Sequence, residues 1–235
     1  MGYTNSPLVN YTKISPNKTV NRNHKIDTIT IHHMAGNLTV ERCGDVFAPT
    51  SRKASSNYGI GSDGRIGMYV EEKDRSWATA NESNDHRAIT IEVANDNTKT
   101  WSISDKAYRS LVALCVDICK RNGIDELKWK GDKNLIGKVE QQNMTVHRWF
   151  AATLCPGDYL YNLHDQIAKD VNAQLKKVSP TKLESGNDIV WELMNGKHKI
   201  KIEDVTRAVK ALDNAKNNPE FMSLYWILYK MVNNE

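Results

Sequence analysis

The chain has 235 residues, 40% of them hydrophobic and 26% charged, with a formal net charge of +4. This suits one domain of about 150 to 180 residues plus a smaller one, with the composition of an ordinary globular protein. The charge is mild and the Lys and Arg are scattered, which favours an anionic polymer over nucleic acid as the partner. No run reaches the roughly 18 apolar residues of a membrane span, so no stable membrane association is expected.

Residues 1–25 are a polar arm rich in Pro and Asn, without the apolar core of a signal peptide. Asp27 to His33, DTITIHH, alternates apolar and polar residues as a half-buried strand does, and Met34-Ala35-Gly36 then turns the chain. Only one histidine of the pair can face a given side. Val40 to Ala48 has helical spacing, with Asn37 or Thr39 as its cap. Ser55 to Gly61 and Arg65 to Val70 form a hairpin around Asp63-Gly64. Ala88 to Ala94, AITIEVA, is a second alternating strand. Its Glu92 lies opposite Ile89, Ile91 and Val93, where an alternating strand usually meets solvent.

Asp105 to Asn122 is the clearest helix, capped by Ser104 and stopped by Gly123. Its Cys115 and Cys119 share an apolar face and read as buried reduced thiols. Residues 125–142 read as loop, in which Trp129 either stacks on a ligand at the surface or closes the core. A short β-branched run then ends in His147, and Cys155-Pro156-Gly157 opens a helix from Asp158 to Leu175. His164 on that helix is expected at the surface. Val178 to Gly186 is a linker, and three helix-sized segments follow at 187–195, 201–217 and 219–232.

Imidazole and thiolate are the commonest zinc ligands. The His pair that ends the first strand, His147 and Cys155 together make a plausible His₂Cys site with one position left open. Two surface histidines and a structural thiol are the bland alternative, and a cysteine hydrolase built on Cys155 and His147 is another.

TITIHHMAG, SSNYGIGSDGRIGMYV, RAITIEVAND and TVHRWFAATLCPG, in that order and at these separations, resemble the zinc-dependent N-acetylmuramoyl-L-alanine amidases. This is the type-2 amidase family, which shares its fold with peptidoglycan recognition proteins and includes many phage endolysins. The resemblance spans roughly residues 20 to 176. It implies an α/β fold, a central mixed β-sheet flanked by helices, here followed by a small all-α C-terminal module. Residues 1–176 would be the catalytic domain, 177–186 the linker and 187–235 the three-helix module, which either targets the cell wall or packs as an extension.

The resemblance also implies Zn²⁺ held by His32, His147 and Cys155, with Glu92 as the acid-base residue beside it. Thr153 stands where many relatives carry Lys; its hydroxyl can donate to an oxyanion but adds no charge. Ser56 and Asn57 stand where relatives often carry Tyr or His, leaving Tyr58 as core. The implied reaction is hydrolysis of the amide bond between N-acetylmuramic acid and L-alanine in bacterial peptidoglycan, by a phage or prophage endolysin. Such a protein would be made in the host cytoplasm without a signal peptide and reach the wall by another route. The alternative is a non-catalytic peptidoglycan-binding module, but members of that kind typically lose the Cys ligand that Cys155 supplies here.

Overall fold

A computed structural model describes residues 3–176 of the chain. The linker and the three C-terminal helix-sized segments lie outside the described residues. The elements in chain order are β1 (Tyr11–Thr12), β2 (Lys18–Thr19), β3 (Thr28–His33), α1 (Val40–Phe47), β4 (Tyr58–Ile60), β5 (Ile66–Met68), β6 (Arg75–Ser76), α2 (Glu82–Arg87), β7 (Ala88–Val93), α3 (Asp105–Asn122), β8 (Met144–Thr145) and α4 (Asp158–Lys176). Six strands form one mixed sheet in the order β1-β5-β4-β7-β3-β8, antiparallel only between β4 and β5. Strands β2 and β6 pair separately. No helix among the described residues is long and apolar enough to cross a membrane.

The helices begin where their capping residues lie. Thr39 Oγ1 accepts from the Arg42 N–H at 3.2 Å to start α1, and Ser104 Oγ accepts from the Ala107 N–H at 3.0 Å to start α3. Each satisfies a backbone donor that the first turn leaves unpaired. One face of the sheet carries Ile29, Ile31, Ile89, Ile91 and Val93. It packs against Leu111, Leu114, Cys115 and Ile118 of α3 and Leu160, Ile167 and Val171 of α4. Fully burying each aliphatic side chain contributes about 1.5–3 kcal/mol, so this face holds the layers together.

The opposite face was expected to meet solvent, and it does not. Thr30, Thr90, Thr145, Ser76, Asn57 and Asn84 are all buried there. They tolerate burial because they pair with one another. The Thr30 and Thr145 hydroxyls lie 2.7 Å apart, Asn84 Nδ2 donates to Thr30 Oγ1 at 3.1 Å, and Thr145 Oγ1 donates to Asn84 Oδ1 at 2.9 Å. The Ser76 and Thr90 hydroxyls lie 2.7 Å apart, and the Asn57 N–H donates to Thr90 Oγ1 at 3.0 Å. A satisfied polar network avoids the desolvation penalty that unpaired groups would incur. The N-terminal arm is tied to this side by Arg22, whose guanidinium donates to the carbonyls of Glu72, Asp74, Asp85, His86 and Ala88.

Gly59 and Gly67 are cross-strand partners in the β4–β5 hairpin, and the Tyr69 ring lies across both. A Cβ on Gly67 would sit 2.6 Å from Tyr69 Oη, and one on Gly59 would sit 2.7 Å from Tyr69 Cε2. Tyr69 cannot retreat without breaking the bond its hydroxyl donates to the Val40 carbonyl at 2.8 Å. Gly67→Ala is therefore expected to lower the unfolding free energy by about 1–3 kcal/mol in urea titrations, from overpacking. A change within a few tenths of a kcal/mol would contradict this packing account.

Candidate active site and metal centre

Parallel strands β3, β7 and β8 end on the same edge of the sheet, the edge where open α/β sheets bind ligands. His32 and Glu92 are register partners on β3 and β7, so both side chains leave the same face. They occupy the next position along the buried polar face after Thr30 and Thr90. Gly59 takes the corresponding place on β4 and adds no side chain. His147 lies just beyond β8, at the start of a short 3-10 turn, His147–Trp149, rather than on the strand itself. The turn from Leu154 to Gly157 then carries Cys155 back to the same place; the Arg148 N–H donates to the Cys155 carbonyl at 3.0 Å.

His32, His147 and Cys155 converge, with one candidate ligand atom from each all within 4.8 Å of one another. His32 Nδ1 faces Cys155 Sγ at 3.4 Å, and the two imidazole centroids lie 5.1 Å apart. Zinc bonds of about 2.0 Å to nitrogen and about 2.3 Å to sulfur, at tetrahedral angles, set an N···S edge of roughly 3.5 Å. The donor set and this spacing fit a zinc ion. The buried Oε2 of Glu92 has no protein partner, as expected of an atom that faces a reacting group.

The electrostatics point the same way. Burial, reinforced by the His147 and His33 rings, lowers the His32 pKa well below its ordinary value, so the imidazole is neutral and has a free lone pair. Burial and the nearby Glu92 charge push the Cys155 thiol up, against a weaker opposing pull from the His33 backbone. A bare Cys-His hydrolase needs a thiolate that this environment disfavours. Burial pushes Glu92 up to about 8, with Arg52 at the cavity mouth opposing the shift.

A cavity of about 220 Å³ opens onto these groups, lined by Glu92, His147, Thr153 and Cys155 on its polar side and by Met34, Leu38, Val46 and Phe47 on its apolar side. Thr153 Oγ1 accepts from the Cys155 N–H at 3.2 Å, which leaves its hydroxyl proton free to donate into the cavity. His33, Cys43 and Arg52 also line it. Arg52, Cys43, Val46 and Phe47 left no mark in the sequence as cavity residues, because they come from α1 and the short turn after it, which carry no recognisable motif. Tyr58 is core, as expected, and its hydroxyl donates to Glu72 at 2.6 Å. All four cysteines are buried and free.

Two aromatic positions differ from expectation or resolve it. Trp129 closes the core, stacked on Trp149 at 5.2 Å. His164, expected at the surface, is fully buried against Trp129 at 4.5 Å, and its Nδ1–H donates to the Leu160 carbonyl at 2.8 Å. Burial lowers its pKa to about 4. A His held neutral in the fold and protonated when unfolded stabilises above the unfolded pKa, and that stability is lost as pH falls toward the folded one. Between about pH 7 and about pH 4 the wild type is expected to lose about 3 kcal/mol more than His164→Gln in urea titrations. Equal losses would contradict a neutral buried imidazole.

A family model described as N-acetylmuramoyl-L-alanine amidase matches residues 22–158. No curated protein matches the chain in sequence. Among solved structures, PlyL superposes with a TM-score of 0.51 at 14% identity, over 68% of this chain and 95% of that one. A selenomethionine derivative of AmpD superposes with a TM-score of 0.51 at 16% identity, over 72% of this chain and 99% of that one. At such identities these superpositions establish the fold, and the family match spans more than half of the sequence. The chain belongs to the N-acetylmuramoyl-L-alanine amidase family, and the residues its motifs singled out meet at one edge of the sheet.

Proposed function

We propose that the protein is a zinc-dependent hydrolase of the amide bond between N-acetylmuramic acid and L-alanine in bacterial peptidoglycan, acting as an endolysin. The convergence of His32, His147 and Cys155 beside Glu92 carries this reading. These three side chains would hold the ion, and Glu92 and Thr153 do the remaining work. When bound, zinc supplies Lewis acidity, which polarises a carbonyl and acidifies water.

Glu92 takes a proton from the water that adds to the lactyl carbonyl carbon. Its partner-free Oε2 is the atom suited to that task. The Thr153 hydroxyl donates to the oxyanion that forms as the C–O double bond opens. Glu92 then returns the proton to the departing nitrogen, the C–N bond breaks, and a lactyl carboxylate and the free α-amine of L-alanine leave. The apolar wall of Met34, Leu38, Val46 and Phe47 lowers the polarity of one side of the cavity, which strengthens each of these interactions. Residues 1–176 carry this chemistry, 177–186 form a linker and 187–235 target the wall.

Digestion of purified peptidoglycan followed by mass spectrometry of the soluble fragments tests the reading. The expected fragments are stem peptides with a free L-alanine amine and glycan strands with intact glycosidic bonds. Binding to the wall without release of peptides would instead support the non-catalytic recognition module.

A further inference from the structure

Trp101 is placed with unusual care for a loop residue. Its φ is +50°, in the left-handed region, which is strained for a bulky L residue and persists only where surrounding contacts enforce it. The loop that carries it is knotted around Asp96, whose carboxylate accepts from the Thr98 N–H at 3.1 Å, the Thr98 hydroxyl at 2.7 Å and the Ser102 hydroxyl. The indole rests on His33, with ring centroids 4.7 Å apart, and His33 lines the catalytic cavity. Gly157 makes the approach possible. At φ +79° it suits glycine, and a Cβ there would come within 3.2 Å of Trp101 Cε3 and 3.4 Å of His33 Nδ1. The indole stays partly exposed. At the same cavity, Leu154 is 70% exposed between the lining residues Thr153 and Cys155.

A strained, braced aromatic beside a reaction cavity points to a ligand surface rather than to core packing. We infer that the Trp101 indole is the platform on which the muramyl pyranose ring stacks, just outside the cavity. The two sides of the scissile amide differ chemically. One carries a pyranose with an apolar C–H face, which a pre-fixed flat indole matches at little entropic cost, whereas the other is a peptide that begins with a methyl side chain. The inference rests on the amidase reading and specifies the side of the substrate that binds here.

The test uses two soluble substrates with the same scissile amide, an N-acetylmuramoyl peptide and a D-lactoyl peptide that lacks the pyranose ring. The full chain is assayed zinc-loaded as wild type, Trp101→Gly and Trp101→Phe; glycine is chosen because it accepts the positive φ without strain. Trp101→Gly is expected to raise KM for the muramoyl peptide about tenfold with kcat little changed. It should leave the lactoyl peptide unaffected, and Trp101→Phe should recover part of the loss. An equal loss on both substrates would show that Trp101 merely braces His33, and no change on either would show that it touches nothing. Both results overturn the inference while leaving the amidase reading intact. A wild type that cleaves neither substrate nor intact wall defeats the amidase reading and this inference together.

Discussion

Cys155→Ser is expected to retain less than about a tenth of the wild-type zinc and to lose wall-lytic activity by about a thousandfold or more, while its far-ultraviolet circular dichroism is unchanged. A serine hydroxyl does not ionise near neutral pH, so the site falls to two imidazoles. The metal-free fold should survive the change, because burial keeps the Cys155 thiol un-ionised and a serine hydroxyl is a neutral group of nearly the same shape. Added zinc should raise the thermal midpoint of the wild type by mass action and leave the variant unmoved. A variant that keeps stoichiometric zinc and full lysis would remove Cys155 from the ligand set. Loss of lysis in the variant, combined with a wild type indifferent to chelators, would revive the Cys-His hydrolase.

Glu92→Gln separates the acid-base role from metal binding. Zinc content should be unchanged and kcat should fall about 10²- to 10⁴-fold, the usual contribution of a positioned proton-transfer group. Loss of zinc in this variant would instead make Glu92 a ligand. A second signature lies in the pH dependence of the metal-free protein. The Glu92 carboxyl is held up to about 8, against an ordinary value of 4.5. An acid whose folded pKa lies above its unfolded one stabilises fully below the unfolded value, and that stability is lost as pH rises through the folded one. Chelator-treated wild type should therefore lose stability relative to Glu92→Gln between about pH 4.5 and about pH 8. A cation at the site favours the carboxylate, so the difference should shrink once zinc is restored.

Much of this site could be read from the chain, for physical reasons that can be located. The alternation in DTITIHH and AITIEVA set the two strands, and equal spacing along parallel strands brought His32 and Glu92 into register. Cys155 was legible because a Pro-Gly turn must follow it before a helix can start. The fate of the polar strand faces was not legible. Alternation says that Thr30, Thr90 and Glu92 share a face, but not that Asn57, Ser76, Asn84 and Thr145 come from four other segments to bury it. The burial of His164 is hidden from the sequence for a similar reason. One histidine on an amphipathic helix reads as surface until Trp129, from a loop with no periodicity, is found covering it. Trp101 left no signal at all, since its position depends on a left-handed backbone, the Asp96 knot and the missing side chain of Gly157.

The most direct test of the central claim is X-ray absorption at the zinc edge on the purified protein. The ligand set proposed here predicts about one zinc per chain, with two imidazole nitrogens near about 2.0 Å and one sulfur near about 2.3 Å. The sulfur shell should vanish in Cys155→Ser, and one imidazole should be lost in His32→Ala or His147→Ala. A spectrum with only nitrogen and oxygen neighbours, or a lytic protein that holds no zinc, would contradict it.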